Sequence, residues 1–327
     1  MTEAGYYLDS FLAPLAQWLY APGVTDIWIN RPGEVWTETA GGRIERHEAP
    51  LLDEAILAHL ARQIASHSAQ GISRAHPLLA ASLPDGARVQ VIAPPATRGG
   101  HILAIRRQVV SALTLADWDQ EGAFQALVAS GRAPERQRQW RSIGPKDAAV
   151  FLRDAVQARR NIIVAGGTAT GKTTFLNSLL AEISTAERIV TIEDTPELEL
   201  RQPNIVGLVA ARGDLAEASV DAEDMLIAAL RLRPDRIILG ELRGREAFTF
   251  LRAVNTGHPG SMTTLHADSP QRAIEQLALL VLQAGTRLSR DDVAHYVQQS
   301  IDIFVQLERR EGRRLVSEVL VAETASP

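Results

Sequence analysis

The chain has 327 residues, with 39 acidic and 34 basic side chains, a formal net charge of −5 and no cysteine. Its length predicts about two domains, and a composition of 46% hydrophobic and 22% charged residues argues against wholesale disorder. The absence of cysteine excludes a thiol nucleophile, a disulfide framework and a cysteine zinc site, and the net charge offers no global electrostatic argument for a nucleic-acid partner.

The N-terminal residues predict neither a membrane span nor a secretory signal. The longest run without a charged residue, 10–25, is shorter than the roughly 20 residues of a membrane-spanning helix, and prolines and glycine interrupt it. Met1-Thr2-Glu3 lacks the basic segment of a cleaved signal. We therefore expect a soluble cytoplasmic protein.

The first hundred residues predict a small α+β domain. Apolar residues at helical spacing predict an amphipathic helix, which packs on its own core or contacts a membrane surface or a partner. These residues are Leu8, Phe11, Leu12, Leu15, Trp18 and Leu19. The next predicted elements are strands over 24–29 and 35–38, a helix over 52–64, and strands over 88–92 and 101–107, with turns at 31–34 and 84–87.

Residues 110–145 predict a connection between domains. Regular patterning weakens here, and residues 132–141 are polar, basic and interrupted by Pro134. A solvated linker with one short helix explains this composition. A contact with a neighbouring subunit or with an anionic lipid surface is the alternative.

From residue 146 onward, strands alternate with helices, which predicts right-handed βαβ units and a mainly parallel sheet. Ser219 and Ser269-Pro270 are predicted to begin two of the helices. The predicted elements are helix 148–158, strand 161–165, helix 172–183, strand 188–192, helix 220–232, strand 236–239, helix 246–254, strand 261–265, and a hairpin of 301–306 with 315–320.

A glycine-rich loop between a predicted strand and helix carries the most specific motif. Residues 166–173 fit G-x-x-x-x-G-K-[ST] at every fixed position. In this motif, backbone N–H groups at a helix N-terminus cradle phosphates, Lys172 neutralises the β- and γ-phosphates, and Thr173 is placed to ligate Mg²⁺. The predicted phosphate-binding residues are Gly166, Gly167, Thr168, Ala169, Thr170, Gly171, Lys172, Thr173 and Thr174.

Hydrolysis also requires carboxylates near the γ-phosphate, and acidic residues follow two predicted strands at one sheet edge. Glu193, with Asp194 beside it, follows strand 188–192, and Glu241 follows strand 236–239. We expect Glu241 to hold Mg²⁺ directly or through water, and Glu193 to polarise or position the attacking water. The beginning of a solvated loop is the alternative for each carboxylate.

A histidine ends the next predicted strand. His266 closes strand 261–265, which is expected to lie beside the strand of Glu241, so its ring would reach a phosphate or the attacking water. A structural role is the alternative for His266. His258, beside Gly257, is expected to belong to a turn that ends a helix.

Four segments in this order resemble the secretion-superfamily traffic ATPases, the hexameric motors of type II and type IV secretion, conjugation and pilus assembly. They are a Walker A loop over 166–173, an Asp box over 191–194, a Walker B segment over 233–243 and a His box over 257–266. The resemblance implies an α/β protein with a C-terminal RecA-like P-loop ATPase domain over 146–327, a smaller N-terminal α+β domain over 1–109 and a linker over 110–145. ATP and Mg²⁺ would be the cofactors, and a homohexamer the assembly.

Within this superfamily, the N-terminal half resembles the type IV secretion and conjugal-transfer branch at 83–90, Pro94-Pro95 and 105–107. Members of the family contact nucleotide phosphates with N-domain arginines. By motif position these are Arg88 and Arg106, with Arg107 as a further candidate. The absence of cysteine also separates the chain from type II relatives that carry a four-cysteine zinc module.

The resemblance implies a motor that hydrolyses ATP to energise translocation or assembly in a type IV secretion or conjugation system. Such a motor would be cytoplasmic, peripherally associated with the inner membrane and with other secretion components, and without sequence-specific binding to nucleic acid. Nucleotide would bind between the two domains, and domain closure would be the mechanical output. The alternatives are a pilus assembly or retraction motor, a DNA-acting RecA-like ATPase, and a nucleotide-sensing scaffold with little turnover.

Overall fold

The computed structural model describes residues 12–107, 113–127, 140–210 and 220–322. The chain divides into two compact units, Met1–Val110 with Ala211–Asp221, and Ser111–Ala210 with Ala222–Pro327. Leu8, Phe11, the predicted cap Ser219 and most of the basic segment 132–141 lie outside the described residues. Within the described ranges, no helix combines the length and apolar character that a membrane crossing requires.

The first unit contains a six-stranded antiparallel sheet in the order β3-β2-β1-β6-β5-β4. Two of its strands, β3 and β4, were not predicted, because each lies at a sheet edge and has few buried apolar side chains. The elements are α1 (Ala16–Leu19), β1 (Val24–Ile29), β2 (Gly33–Thr39), β3 (Ile44–Ala49), α2 (Glu54–His67), β4 (Leu78–Ser82), β5 (Arg88–Ile92) and β6 (Ile102–Arg106).

Two helical segments pack on the core of this unit. Helix α2 begins at Asp53, whose side chain accepts a hydrogen bond from the N–H of Ile56, as an N-cap does. The described part of the predicted N-terminal amphipathic helix has its apolar residues buried in the same core, which confirms the interpretation that it packs on its own unit. These residues are Leu12, Leu15, Trp18 and Leu19.

The second unit contains an eight-stranded sheet in the order β10-β9-β11-β12-β8-β13-β14-β7, in which the pairs from β10 to β13 are parallel. Its strands are β7 (Trp140–Ser142), β8 (Ile162–Gly166), β9 (Ile189–Glu193), β10 (Ile205–Val209), β11 (Arg236–Leu239), β12 (Met262–Leu265), β13 (Ile303–Arg310) and β14 (Arg313–Ala322). Its helices are α3 (Leu115–Gln120), α4 (Ala148–Gln157), α5 (Lys172–Leu180), α6 (Ala222–Arg231), α7 (Glu246–Asn255), α8 (Pro270–Gln283) and α9 (Arg290–Ser300).

The central parallel strands are buried on both faces, as helices on both sides of a sheet require. Successive residues of each strand alternate between two cores. Ile163, Ile192 and Leu239 belong to the core that includes residues of α6 to α9, whereas Val164 and Ile238 belong to the core that includes residues of α3 to α5. Because these strands are parallel, the carboxyl ends of β8, β9, β11 and β12 lie at one edge of the sheet.

The described part of segment 110–145 packs into the second unit. Trp118 on α3 is buried and lies edge-on against Phe175 of α5, with ring centroids 5.1 Å apart. Its indole N–H donates to Ser178 Oγ at 3.0 Å, and Ser178 Oγ donates to the carbonyl of Leu113. A few well-spaced apolar residues therefore bury a stretch whose overall composition predicts a solvated linker.

A buried arginine forms an ion pair at the opposite edge of the same sheet, where the parallel strands begin. Arg236, at the beginning of β11, is 0% exposed, and its Nε and Nη2 donate to the two carboxylate oxygens of Glu187 at 2.8 Å each. Its Nη1 also donates to the carbonyl of Gly260 at 3.3 Å. Arg159 reaches the same carboxylate at 3.1 Å from a side chain that is 41% exposed. Arg236 therefore provides the buried positive charge that compensates the buried carboxylate of Glu187.

Candidate nucleotide-binding site

The loop between β8 and α5 is held by its glycines. Gly171 has φ of +92°, in the left-handed region that favours glycine. A Cβ on Gly166 would lie 2.5 Å from Thr170 Oγ1 and 2.9 Å from the carbonyl oxygen of Leu307, so this position has no room for a side chain. Thr170 Oγ1 donates to the carbonyl of Gly167 at 2.9 Å and closes the loop on itself.

The two glycines at the start of this loop provide a matched test of its packing. Gly166→Ala is expected to lower the free energy of unfolding by about 1–3 kcal/mol, because the new methyl overlaps a backbone oxygen. Gly167→Ala is expected to be neutral or slightly stabilising, since its Cβ would lie 3.8 Å from Thr170 Cγ2, an ordinary van der Waals distance. Urea denaturation of both variants measures the difference, and equal stabilities would contradict the described loop conformation.

Lys172 begins α5 with its amine turned back onto the loop. Its Nζ donates to the carbonyl oxygens of Gly166 at 3.0 Å and Gly167 at 2.9 Å, and lies 3.5 Å from Nδ1 of His266. Burial lowers the pKa of Lys172, and the nearby charge of Arg243 lowers it further, while Glu241 opposes both effects. A buried ammonium with only neutral hydrogen-bond acceptors is well placed to receive an anion.

The other predicted loop residues differ in exposure. Thr168 and Ala169 are exposed at the crest of the loop, whereas Thr170 is buried. Thr173 and Thr174 are half-buried on the first turn of α5. The side chain of Thr173 makes no hydrogen bond with the described residues, so its hydroxyl is available to an external ligand.

Glu193 is the last residue of β9 and its side chain is fixed by backbone donors. Its Oε1 accepts hydrogen bonds from the N–H groups of Glu197 at 2.7 Å and Leu198 at 2.8 Å. Gly240, directly after the neighbouring strand β11, lies next to Glu193: a Cβ on Gly240 would be 3.4 Å from Glu193 Cγ. The structure therefore holds Glu193 at the same edge as Glu241.

Glu241 lies between a guanidinium and an imidazole. Arg243 pairs with its Oε2 through both Nε and Nη2, and Nη1 of Arg243 reaches Asp194 Oδ2 at 3.2 Å. His266 Nε2 lies 2.8 Å from Glu241 Oε1, at an ion-pair distance but without the angle of a hydrogen bond. Oε1 is buried and, within the described part of the chain, accepts no hydrogen bond.

Backbone contacts explain why these side chains meet. Strands β9 and β12 both pair with β11, which confirms that the strand of His266 lies beside that of Glu241. Thr264 Oγ1 donates to the carbonyl of Gly240 at 2.8 Å, and the N–H of Leu242 donates to the carbonyl of Thr264 at 3.0 Å. The Walker B and His-box segments are thus joined directly at the sheet edge.

Sequence reasoning missed Arg243 as a site residue. In the sequence it is the last residue of the Walker B segment over 233–243, and its position two residues after Glu241 is a signal that it can turn back onto that carboxylate. Its backbone N–H donates to Glu246 Oε1 at 2.7 Å, which anchors the residue at the beginning of α7. Arg243 is therefore held in place beside the carboxylates of Glu241 and Asp194.

Other predicted residues lie elsewhere. His258 lies 3.3 Å from the carbonyl of Ala253 at the end of α7, which confirms its place in a helix-ending turn. Arg88 on β5 and Arg106 on β6 are cross-strand partners in the first unit, and Arg106 pairs with Asp26 at 2.9 Å. Arg107 Nη1 donates to the carbonyls of Ala21 and Val24.

The donor set fits a magnesium ion that is shared with substrate phosphates. No group of three or more acidic or histidine side chains arranged for a metal ion occurs in residues 12–107, 113–127, 140–210 and 220–322. Mg²⁺ is usually held by one or two carboxylates together with phosphate oxygens and water rather than by an all-protein cage. The buried, unbonded Oε1 of Glu241 and the hydroxyl of Thr173 meet that requirement.

His266 is expected to be neutral at pH 7. Partial burial lowers the pKa of His266 below its usual 6.5, and the charges of Lys172 and Arg243 lower it further, whereas Glu241 raises it. Lys172→Ala should therefore raise the pKa of His266, and Glu241→Gln should lower it. NMR titration of the imidazole resonance, assigned with His266→Gln, measures both shifts. A pKa that moves in neither variant would contradict the described proximity.

Comparison with known proteins connects this geometry to a family. The profile of the family described as "Type II/IV secretion system protein" matches residues 10–318. The type IV secretion system protein VirB11 of Bartonella henselae is 39% identical over 324 residues, covering 94% of this chain and 91% of that protein. The type IV secretion system protein PtlH of Bordetella pertussis is 39% identical over 319 residues, with the same coverage of both chains.

A solved structure shows the same fold. The pilus retraction motor PilT with bound ADP matches with a TM-score of 0.61 and 20% identity, covering 97% of this chain and 83% of that one. At this identity the likeness concerns the fold alone. Together with the P-loop sheet, it confirms the predicted α/β class, a RecA-like ATPase domain with a smaller α+β domain.

Proposed function

Because the chain belongs to the family of type II/IV secretion system proteins, we propose that it is the ATP-hydrolysing motor of a type IV secretion system. Besides the family match, one observation supports this proposal. At the edge of the sheet where the parallel strands end, Lys172 Nζ lies 3.5 Å from His266 Nδ1, and His266 Nε2 lies 2.8 Å from Glu241 Oε1. The relatives at 39% identity are themselves named as type IV secretion system proteins.

The P-loop would bind the triphosphate. N–H groups over 167–173 and the N-terminus of α5 would face the phosphate oxygens, and Thr174 would add to the same first turn. The ammonium of Lys172 would leave the two loop carbonyls for the β- and γ-phosphates, which are stronger acceptors because they are anionic.

Thr173 and Glu241 would hold Mg²⁺, Glu241 directly or through water. When bound, this ion would neutralise the charge that the leaving phosphate develops. For Glu241 to reach the ion, its Oε1 would have to turn from His266 Nε2, which lies 2.8 Å away, or its pairing with Arg243 would have to loosen. Arg243 would keep its contact with Asp194.

Glu193 would position or polarise the attacking water. The two N–H donors on its Oε1 orient the carboxylate while leaving its charge in place. The neutral ring of His266, 3.5 Å from Lys172, would contact the γ-phosphate or that water through a donor or acceptor nitrogen. These roles assign one group to each task of phosphoryl transfer to water.

The N-terminal residues would complete the motor. We retain an N-terminal domain over 1–109 and an ATPase domain over 146–327, joined by a linker over 110–145 whose described part packs on the ATPase domain. We assign phosphate contacts to Arg88 and Arg106 on closure. Arg88 and Arg106 are cross-strand partners whose side chains leave the same face of the sheet, so one anion would contact both. The assembly would be a homohexamer in contact with other secretion components at the inner membrane.

Glu193→Gln tests this function because glutamine retains the carbonyl oxygen that accepts both backbone hydrogen bonds. We expect steady-state ATP hydrolysis to fall by about 10²–10⁴-fold, with ADP affinity unchanged, since only the charge is lost. The assay uses the full chain in Mg²⁺, with EDTA as the metal-free control and native mass spectrometry to record the assembly state. Wild-type turnover in Glu193→Gln, or hydrolysis that persists in EDTA, would refute the assignment.

A pilus motor is the second candidate, favoured only by the shared fold with PilT. Co-purification with secretion-channel components supports the first proposal, whereas co-purification with a pilus platform supports the second. A DNA-acting ATPase would instead show hydrolysis that single-stranded or duplex DNA stimulates.

A further inference from the structure

Arg314 lies beside the last glycine of the P-loop. A Cβ on Gly171 would lie 2.9 Å from Arg314 Cδ and 3.3 Å from Nε, so the arginine stem packs on the last glycine of the loop. In the part of the chain that the structure describes, Arg314 donates no hydrogen bond and forms no ion pair. Its neighbour Arg313 differs, because its Nη2 donates to the carbonyl of Glu121 at 2.9 Å.

The electrostatic surroundings of Arg314 disfavour its charge. Burial lowers the pKa of its guanidinium, and Arg309, its cross-strand partner in the hairpin, lowers it further, while Glu121 raises it. A guanidinium that has lost hydration and faces a like charge is stabilised when an anion binds to it. Arg314 therefore places a partly dehydrated positive charge beside Gly171.

The sheet order places Arg314 on the side of the P-loop away from the carboxylates. Strand β8, which leads into the loop, has β12 and β11 on one side and β13 and β14 on the other. Glu241 follows β11, so the strands of Glu241 and Arg314 are four strand spacings apart, about 19 Å. A nucleotide whose γ-phosphate lies near Glu241 and His266 would direct its remaining phosphates toward Arg314.

We propose that Arg314 binds the phosphates of the nucleotide that are not transferred, the α- and β-phosphates, as a residue of the same subunit that holds the P-loop. This inference rests on the proposed function and adds a binding residue to that site. The planar guanidinium donates two parallel hydrogen bonds to phosphate oxygens, which a lysine cannot do. In this contact, phosphate oxygens take the place of the water that burial removes from the Arg314 guanidinium.

The chemistry predicts a larger effect on nucleotide binding than on turnover. ADP and ATP share the α- and β-phosphates, so the contact stabilises both bound nucleotides, while the charge that the leaving β-phosphate develops during hydrolysis would also be neutralised by Mg²⁺. Arg314→Gln should therefore raise the KM for ATP by about tenfold and lower kcat by less than that. The same variant should weaken ADP binding by about tenfold, as the loss of a charge-assisted contact does.

Isothermal titration calorimetry with ADP on the full chain tests the inference, and Arg313→Gln is the matched control. Arg313→Gln removes an adjacent arginine that is already engaged with Glu121, so its ADP affinity should stay within about twofold of wild type. Arg314→Lys, which keeps the charge and loses the fork, should bind ADP with intermediate affinity. Thermal unfolding without nucleotide records whether each variant is folded.

Folded Arg314→Gln that binds ADP as tightly as wild type would overturn the inference and leave the proposed function intact. If Arg314→Gln does not fold, Arg314→Lys decides: weaker ADP binding supports the contact, and wild-type affinity overturns it. A wild-type chain that binds no ADP would overturn the proposed function and this inference together. Weakening in Arg313→Gln equal to that in Arg314→Gln would show a general charge effect and would also overturn the assignment.

Discussion

Lys172→Ala is expected to reduce steady-state ATP hydrolysis by at least about 10²–10³-fold, the largest effect on activity that the site predicts. The ammonium is buried against Gly166 and Gly167, on the loop proposed to cradle the phosphates. Alanine removes the charge that would stabilise the transferring phosphate, and no other described lysine lies in the loop. The rate of phosphate release per subunit, measured with a coupled assay, gives the result directly.

The chain provides a precise control because it contains only two lysines, Lys146 and Lys172. Lys146 is exposed in a short turn before α4, so Lys146→Ala should retain wild-type hydrolysis. Lys172→Ala should also keep its fold, because it removes a buried charge whose acceptors are carbonyl oxygens within the loop. Equal hydrolysis by the two alanine variants would remove Lys172 from the site.

Arg236→Met is expected to lower the free energy of unfolding by about 3–5 kcal/mol, the largest effect on stability. The guanidinium is 0% exposed and donates to both oxygens of Glu187, so the methionine variant leaves a buried carboxylate with one remaining, partly exposed partner. Chemical denaturation of the full chain, followed by circular dichroism, measures the loss.

Two further variants separate this buried pair from a general loss of charge. Arg159→Met removes an arginine that contacts the same carboxylate from a 41% exposed side chain, and should cost no more than about 1 kcal/mol. Arg236→Met combined with Glu187→Leu should recover much of the loss, because no unpaired charge is left inside. A double variant as unstable as Arg236→Met would show that packing, rather than an uncompensated carboxylate, accounts for the effect.

The strands of the second unit that carry the site were predictable because their sequences contain short apolar runs that lead directly into the motif residues. Ile162-Ile163-Val164 and Ile237-Ile238-Leu239 are buried on both faces of the sheet, so no polar alternation obscures them. The ends of these strands then place the glycine loop and Glu241 at one edge. Each motif follows a parallel strand, so motifs that are far apart in the sequence meet at the same edge of the sheet.

Several elements escaped prediction because tertiary contacts rather than local patterning form them. Strand β10 pairs only with β9, and β7 only with β14, each at a sheet edge. Helix α9 is polar along most of its length and buries mainly Val293 and Val297, although its capping box of Ser289 with Asp292 was a local signal for its beginning. These elements depend on neighbours that lie far away in the sequence.

The side chains that complete the site were the least predictable. Arg243 turns back onto Glu241 and Asp194 because Glu246 anchors its backbone, a contact that no spacing rule reveals. Arg314 comes from a hairpin more than a hundred residues beyond Gly171, and only the sheet order brings it to the loop. Motifs identify the groups that do chemistry, whereas the fold supplies the groups that surround them.

A crystal structure of the chain with Mg²⁺ and a non-hydrolysable ATP analogue tests the central claim most directly. We expect the triphosphate to lie on the N–H groups of residues 167–173, with Mg²⁺ held by Thr173 and Glu241. The γ-phosphate should face Glu193 and His266. Phosphates bound away from this loop, or Mg²⁺ held without either Thr173 or Glu241, would contradict it.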